Sequence, residues 1–423
     1  MQRPPSTPFG NPYETGKTFF IGGHTAPTAT EEAYERLAAS GIEYIILYTH
    51  ENLTAASEDF YKTPFELGEK YGIKILPYTN NLGADDFTTT NYNIQGKSFC
   101  EYWMQYESFG GLIVYDEPTA GTLAELTAIH DKIEACIERY KEQCPNKAWY
   151  VNLNPIYANS DTQLGDLTYT EYVEMFSDVV YKPTEGTGAI WCDIYPLYTT
   201  GELHSNWLKN LEILRAEADE QGVELQLYIQ SIDWGTHRVT TEADLRFQTY
   251  VSMAYGAVGI SYFTYQTPYW TSVYESSTAL IDENGNATAV YTGAQEVNKE
   301  IKRLDGVYLG FDWKAVIASG SCANFTNCTN METAYGSLQS VTSTEEAIVG
   351  CFENANGEEG YLAVNFTDPQ NAQSNAVTLT FSSAVKKAYV YIDGVQTEVE
   401  VENGVLTLQL EAGEGQFVIP LTE

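Results

Sequence analysis

Two adjacent acids, Asp116 and Glu117, lie where the sequence changes from a buried strand to a helix. Residues 112–115 are apolar or aromatic, which is typical of a strand buried on both faces in a parallel sheet, and Pro118 ends the run. Acidic groups are costly to bury, and barrel enzymes place their chemistry at the carboxyl ends of such strands. A carboxylic acid here can act as a general acid, whereas the alternative role is to cap the following helix.

The elements that position these acids alternate between residues 17 and 306. The predicted strands are Phe19–Gly23, Tyr44–Tyr48, Ile73–Tyr78, Leu112–Tyr115, Trp149–Leu153, Ile190–Ile194, Leu225–Ile229 and Ile260–Tyr265. The predicted helices are Thr30–Ser40, Phe60–Tyr71, Phe99–Ser108, Thr122–Gln143, Tyr169–Val180, Ser205–Gln221, Glu242–Tyr255 and Val290–Leu304. Eight β/α units predict an α/β fold, a closed (β/α)₈ TIM barrel. A doubly wound open sheet is the alternative, but it usually has fewer strands, and the glycine fingerprint of the dinucleotide-binding type is absent.

The hydrophobic period changes to two after residue 306, which predicts antiparallel strands. These strands are Ala347–Phe352, Gly360–Phe366, Ala376–Phe381, Ala388–Ile392 and Gly404–Leu410. Hairpin turns are predicted at Asp393-Gly394 and Asn403-Gly404. We therefore expect an N-terminal linker at 1–16, a catalytic barrel at 17–306 and an accessory β-sandwich at 307–423.

The chain is strongly acidic, with 58 Asp and Glu against 22 Lys and Arg, a formal charge of −36 over 423 residues. Nucleic acid and anionic membrane surfaces need a basic footprint, so the charge argues against both as partners. No apolar run is long enough to span a membrane. The opening residues 1–8 are typical of a linker that follows a trimmed targeting segment, which predicts an extracellular or cell-surface protein, with the cytoplasm as the alternative. The sequence does not indicate an oligomeric state.

Aromatic, amide and acidic side chains follow the predicted strands and would converge at one mouth of the barrel. These candidates for substrate binding are His24, Tyr48, His50, Tyr78, Asn80, Asn152, Asn154, Asp193, Tyr195, Tyr228, Gln230, Asp233, Trp234, Tyr265 and Trp270. Lys and Arg are absent from the set, so a phosphate or carboxylate would be held poorly and a neutral sugar is favoured. No metal-ligand spacing is present, and we expect neither a metal nor another cofactor.

Residues 115–118, Tyr-Asp-Glu-Pro, resemble the Asn-Glu-Pro acid/base motif that ends the fourth strand of clan A glycoside hydrolases. The segments Val151–Pro155, Cys192–Pro196 and Gly259–Tyr265 resemble a bacterial β-galactosidase-like group whose barrel is followed by a β-sandwich. The resemblance implies hydrolysis of a β-linked sugar in an oligosaccharide or glycan, with Glu117 as acid/base. Apolar surroundings and the charge of Asp116 would keep Glu117 protonated.

Gln230 departs from the clan pattern, which has a nucleophilic Glu at the end of the seventh strand. The Asp116-Glu117 pair resembles that of substrate-assisted β-N-acetylhexosaminidases, which implies a retaining mechanism on GalNAc or GlcNAc with Asp116 as polarising residue. Consecutive strand residues point to opposite faces, so this needs the strand to end at Asp116. One alternative is a β-galactosidase-like or inverting enzyme that pairs Glu117 with Asp193 or Asp233, about 6.5–9.5 Å away if inverting. Another is a glycan-binding barrel without catalysis.

Overall fold

Eight parallel strands close into a barrel in the computed structural model, which describes residues 12–48, 58–78, 102–128, 130, 149–180, 188–268, 272–275 and 277–422. The strands are β1 (Phe20–Gly23), β2 (Tyr44–Tyr48), β3 (Lys74–Tyr78), β4 (Leu112–Asp116), β5 (Trp149–Leu153), β6 (Ala189–Asp193), β7 (Glu224–Gln230) and β8 (Gly259–Phe263). Each pairs in parallel with its sequence neighbours, and β8 returns to β1. The predicted barrel is confirmed, and the open sheet is excluded.

Helices follow most of these strands within the described residues. They are α1 (Glu31–Ala39), α2 (Glu58–Tyr71), α3 (Tyr169–Val180), α4 (Trp207–Gln221), α5 (Glu242–Ala254) and α6 (Ala289–Tyr308). Thr30 caps α1 by accepting the amide of Ala33, and Gly222 ends α4 in the left-handed conformation. Of the predicted helix Phe99–Ser108, only residues 102 and 103 are helical among those described, and 104–108 form turns. The predicted helix at 122–143 is described to residue 128, where a 3₁₀ turn at Ala120–Thr122 leads into helical residues 123–128.

Large aromatic side chains fill the barrel interior. Trp191 lies at the centre, with its ring 4.7 Å from that of Tyr150 and 5.6 Å from that of Tyr228. Tyr78 and Tyr228 are nearly inaccessible to solvent. Tyr78 is the last residue of β3, and Tyr228 lies near the end of β7. Since a buried phenol hydroxyl usually has a hydrogen-bonding partner, polar groups are expected near these strand ends.

The C-terminal strands form two antiparallel sheets around a core of their own. The strands are β9 (Phe311–Ser319), β10 (Leu338–Ser343), β11 (Ala347–Asn354), β12 (Glu359–Asn365), β13 (Asn375–Phe381), β14 (Val385–Ile392), β15 (Val395–Glu400), β16 (Val405–Leu410) and β17 (Gly415–Thr422). The sheet orders are β15-β14-β17-β12-β11-β9 and β10-β13-β16. Buried residues from both sheets, such as Val349, Val390, Leu379 and Leu408, form one apolar cluster. The predicted β-sandwich is confirmed, and a short helix, α7 (Ala323–Asn327), joins β9 to β10.

The chain divides into two compact units. One holds Phe20–Thr241 and Gly259–Gln295, and the other holds Glu242–Val258 and Glu296–Glu423 with the residues before Phe20. In the second unit α5 packs on the sandwich strands, where Trp313 Nε1 donates to the carbonyl of Ala254 (2.9 Å), and on α6, where Tyr250 donates to Glu300. The unit that carries the sandwich therefore also includes α5 and part of α6, whereas the sequence pattern places the domain boundary after residue 306.

Candidate active site

The end of β4 carries Asp116 and Glu117, and its backbone departs from a regular strand there. The pairing of β4 with β5 shifts register between Ile113 and Tyr115, which marks a bulge. Glu117 has a φ of +48°, in the left-handed region that few non-glycine residues adopt. Its amide donates to the carbonyl of Asn152 (2.8 Å). Because the extended conformation ends at Asp116, strict strand alternation does not apply to Glu117.

The turn after Glu117 is held by buried side chains from β5 and α3. Asn154 Nδ2 and the hydroxyl of Tyr172 both donate to the carbonyl of Pro118, at 2.9 and 2.6 Å. Gln163 Nε2 donates to Asn154 Oδ1 (2.7 Å), so the protein occupies both ends of the Asn154 amide. Asn154 is completely buried. Asn154 therefore positions the turn after the acids. Its side-chain amide is hydrogen-bonded to protein groups, so these contacts do not support the predicted role in sugar binding.

Asn152, at the end of β5, joins two carboxyl groups. Its Nδ2 donates to Asp116 Oδ1 (2.8 Å) and to Asp193 Oδ1 (3.0 Å), which brings the ends of β4 and β6 together. Asn152 is only 4% exposed, and its Oδ1 atom has no hydrogen-bond partner in the described chain. One amide thus fixes the separation of two acids.

Three acids, Asp116, Glu117 and Asp193, share this site. Burial and the charge of Asp116 raise the pKa of Glu117 to about 7. Burial, followed by the charges of Glu117 and Asp116, raises the pKa of Asp193 well above its ordinary value. Burial also raises the pKa of Asp116, against the hydrogen bond from Asn152, which lowers it. Water reaches Asp116 and Glu117, but protein atoms surround them densely and limit their solvation. Burial therefore raises the pKa of all three acids, and Glu117, with a pKa of about 7, keeps a protonated fraction at neutral pH.

Aromatic rings surround the acids on the side of β1, β2, β3 and β7. The imidazole of His24 lies 5.6 Å from the ring of Tyr48 and 6.2 Å from that of Tyr228, and Tyr48 lies edge-on to Tyr78 at 4.7 Å. Burial lowers the pKa of His24 to about 4, so the ring is neutral at pH 7. Burial and then the charge of Asp116 raise the pKa of both Tyr78 and Tyr228.

Trp234, in the loop after β7, continues this aromatic wall through Phe263, whose ring also lies 5.2 Å from His24. Its indole stands edge-on to Tyr195 at 5.1 Å and lies 5.9 Å from Phe263. Tyr195 is buried, and burial followed by the charge of Asp193 raises its pKa. The structure thus brings most of the predicted strand-end residues together around the three acids.

Three predicted residues have other surroundings. Gln230 is fully buried and bonds backbone groups of two loops: its Oε1 accepts from Leu197 N (3.2 Å), and its Nε2 donates to the carbonyls of Leu197 and Arg238. Tyr265 is also fully buried, and its electrostatic neighbours are Tyr291 and Arg36 instead of the acids. Asp233 accepts the amide of Thr278. These side chains stabilise loops or pack around the barrel. The sequence analysis placed them in the site because a position at the end of a strand does not by itself determine where the side chain points. His50, Asn80 and Trp270 lie outside the described residues.

Two tyrosines that the sequence analysis missed face the acids. Burial and then the charge of Asp193 raise the pKa of Tyr157 and of Tyr274, the latter to about 12. Tyr157 follows β5 by four residues, and Tyr274 lies in a 3₁₀ turn (Ser272–Tyr274) after β8. The sequence analysis selected residues at or just after the ends of predicted strands, and both tyrosines lie further along the chain. Near Tyr157, the Asn-Pro step at 154–155 was the only sequence signal of a turn.

The described residues hold no group of three or more His, Cys, Asp or Glu arranged to bind a metal ion. No described helix is both long and apolar enough to cross a membrane. Among the described residues, the main causes of the pKa shifts of the three acids are burial, the other acids and hydrogen bonds, and none is a lysine or an arginine. The arrangement can donate a proton from Glu117 and hold a polar, uncharged molecule between aromatic walls.

Comparison with known proteins gives fold similarity alone. No protein-family model matches the chain, and no curated protein matches its sequence. Two structures of Gan42B, a GH42 β-galactosidase, one of them a catalytic mutant of the G. stearothermophilus enzyme, have TM-scores of 0.59 and 0.60 at 10% identity, covering 97% of this chain and 100% of that chain. A family 39 glycoside hydrolase from Bacteroides cellulosilyticus WH2 has a TM-score of 0.49 at 12% identity, over 96% of this chain and 81% of that one. The likeness to Gan42B concerns the fold of this chain alone.

Proposed function

We propose that this protein is a glycoside hydrolase that acts on a neutral β-linked sugar with Glu117 as general acid. The observation that carries the proposal is the position of Glu117: it lies at the carboxyl end of β4 beside two other acids, and its pKa is raised to about 7. A carboxylic acid with this pKa can protonate a leaving oxygen near neutral pH. The aromatic walls suit the faces of a sugar ring, and the lack of a lysine or arginine among the main causes of the described acids' pKa shifts suits an uncharged substrate.

Gln230 does not fit as the second catalytic group. An amide does not form a glycosyl ester, and the side-chain amide of Gln230 is hydrogen-bonded to the backbone of Leu197 and Arg238. We propose that the 2-acetamido group of a GalNAc or GlcNAc unit takes that role. Its carbonyl oxygen attacks the anomeric carbon while Glu117 gives its proton to the departing oxygen, and Asp116 accepts a hydrogen bond from the acetamide N–H. Glu117 then takes a proton from the water that opens the cyclic intermediate, which gives net retention.

Asp193 is the main alternative as a base for an inverting or β-galactosidase-like reaction. The shared contact with Asn152 places it close to Asp116, and the effect of Glu117 on its pKa places it close to that acid. Its raised pKa disfavours this role, because a general base must be ionised before the reaction. Asp233 is a weaker alternative, since its carboxylate already accepts the amide of Thr278.

The test is hydrolysis of 4-nitrophenyl β-glycosides of GalNAc, GlcNAc, Gal and Glc to identify the sugar, and then of the phenyl glycoside of that sugar, whose poorer leaving group depends on the acid. On the phenyl glycoside, Glu117→Gln should lower kcat/KM by roughly 10²–10⁴-fold, the usual contribution of general acid–base catalysis. Glu125→Gln is the matched control, because Glu125 is exposed a few residues further along the chain, and it should retain activity. Full activity in Glu117→Gln would exclude the proposed acid.

The same assay, followed by NMR of the first anomer released, separates the mechanisms. Retention confined to the two acetamido sugars, with loss of activity in Asp116→Asn, is expected for substrate assistance. Inversion, with loss in Asp193→Asn, would assign the base role to Asp193. Calorimetric binding of the same sugars without any turnover would favour a glycan-binding barrel.

A further inference from the structure

Five rings in the loops after β5, β6 and β7 form a connected series, which we call the aromatic arc: Tyr157, Tyr198, His204, Trp234 and His237. Neighbouring ring centroids are 5.0 Å apart for Tyr157 and His204, 6.2 Å for His204 and Tyr198, and 5.0 Å for Tyr198 and His237. His237 stacks on Trp234 at 4.1 Å with an angle of 20° between the planes. The mechanism proposed above uses none of the arc except the wall at Trp234.

Both ends of the arc lie next to residues of the acidic site. Trp234 contacts Tyr195, which follows Asp193 closely in the sequence, and lies 6.1 Å from Tyr274. At the other end, Tyr157 lies in the loop after β5. This loop starts at Asn154, whose Nδ2 donates to the carbonyl of Pro118, the residue after Glu117 (2.9 Å). The arc thus extends from the loop beside Glu117 to the rings beside Asp193.

The backbone holds the arc in place. Tyr198 pairs with His237 in an antiparallel bridge, and the amide of Thr199 donates to the carbonyl of Thr236 (2.9 Å). Gln230 bonds the same two loops at Leu197 and Arg238. Because these contacts order the rings before any ligand arrives, binding to them has a small entropic cost.

The arc is uncharged and accessible to solvent. Burial lowers the pKa of both His204 and His237, and the backbone amide of Asn206 donates to His204 Nδ1. Tyr157 is 45% exposed, and the other four rings are partly exposed. Flat, neutral rings that water reaches suit the apolar faces of a sugar, and the tyrosine hydroxyls suit its polar edge.

We propose that the aromatic arc binds the sugar on the leaving-group side of the scissile bond, so that the substrate is an oligosaccharide with a second sugar beyond the cleaved one. This inference rests on the proposed function, because the general acid must contact the departing oxygen and the arc begins in the loop that is hydrogen-bonded to the turn after Glu117. The cleaved sugar then lies against Asp116, Tyr78 and Tyr228.

The test uses Glu117→Gln protein on a printed array of β-linked GalNAc, GlcNAc, Gal and Glc, each present alone and as a disaccharide with a second sugar at the reducing side. We expect roughly tenfold stronger binding of at least one disaccharide than of its single sugar, since each aromatic contact contributes about 0.5–1.5 kcal/mol. Tyr157→Ala or His237→Ala, added to this protein, should remove the preference. Val239→Ala is the matched control: Val239 is 48% exposed in the same loop as His237 and outside the arc, so the preference should remain.

A disaccharide preference that is absent, or that persists in both arc variants, overturns the inference. Tyr157 is exposed, so its variant gives a result even if His237→Ala fails to fold. Wild-type protein on the 4-nitrophenyl glycosides provides the separate test of the proposed function. Hydrolysis without arc-dependent binding overturns the arc alone, whereas arc-dependent binding without hydrolysis of any sugar overturns the enzymatic role alone.

Discussion

At the scale of single residues, the left-handed backbone of Glu117 allows two consecutive acids to serve one site. In a regular strand Asp116 and Glu117 would point to opposite faces. A non-glycine residue in this conformation costs on the order of 1–3 kcal/mol. The hydrogen bonds from the Glu117 amide to Asn152 and to the Pro118 carbonyl from Asn154 and Tyr172 help to offset that cost. Strain of this kind is typical of catalytic positions.

If Glu117 is the general acid, the activity should decrease at alkaline pH, which we call the basic limit. Because its pKa is about 7 in the folded protein, the protonated fraction falls as the pH rises through 7, and kcat/KM should fall about tenfold per pH unit above the pKa. The measurement is a pH profile of kcat/KM from acidic to alkaline pH on a glycoside with a poor leaving group, which depends on the acid.

The variant Asp116→Asn tests whether the charge of Asp116 contributes to the raised pKa of Glu117. Burial is the larger reason for the raised pKa of Glu117, and the charge of Asp116 is the second. Removing that charge makes ionisation of Glu117 easier, so the basic limit of the residual activity should move to lower pH without reaching the ordinary value of a glutamate. A limit that stays at the wild-type pH would show that Asp116 does not act on Glu117.

At the scale of secondary-structure elements, the sequence predicts the barrel because each strand is a short apolar run between clear helix signals. Asp116, Asn152 and Asp193 could be found because they end such runs. Gln230 and Tyr265 end or follow similar runs, and only their side-chain contacts separate them from the site. In the sandwich, β9, β10, β15 and β17 were not among the predicted strands. For β15 the reason is that Val395–Glu400 is polar and largely exposed, and for β17 it is that Pro420 argues against a strand.

The variant Gln230→Glu tests whether the side chain at position 230 holds two loops together or could act as the nucleophile that the clan pattern has there. A glutamate would lose the donor to the carbonyls of Leu197 and Arg238 and would place a charge in a fully buried position. We expect a loss of about 1–3 kcal/mol or more in the free energy of unfolding, measured by urea denaturation, and no gain in hydrolysis. Glu224→Gln, the reverse exchange at the exposed start of β7, is the control and should change stability by less than about 0.5 kcal/mol. A stable Gln230→Glu protein with increased hydrolysis of galactosides would show that the position can hold a nucleophile.

At the scale of the whole molecule, the excess of acidic residues agrees with the chemistry of the site. The formal charge is −36, and no described lysine or arginine is among the main causes of the pKa shifts of Asp116, Glu117 and Asp193. A negative potential over the whole chain makes ionisation of a further carboxyl group harder, which acts in the same direction as burial. It also repels anionic ligands, which agrees with the neutral sugar that we propose as substrate.

The same charge predicts a dependence of stability on salt. Like charges repel one another in the compact state, and salt screens them over a distance of about 8–10 Å at physiological ionic strength. Raising NaCl from a low to a physiological concentration at pH 8 should therefore raise Tm, by an amount on the order of 2 °C, in a calorimetric scan. The increase should shrink as the pH approaches the sequence pI of about 4.3, where the net charge falls. A Tm that falls with NaCl at pH 8, or an increase of the same size at both pH values, would show that repulsion among the acidic residues does not limit stability.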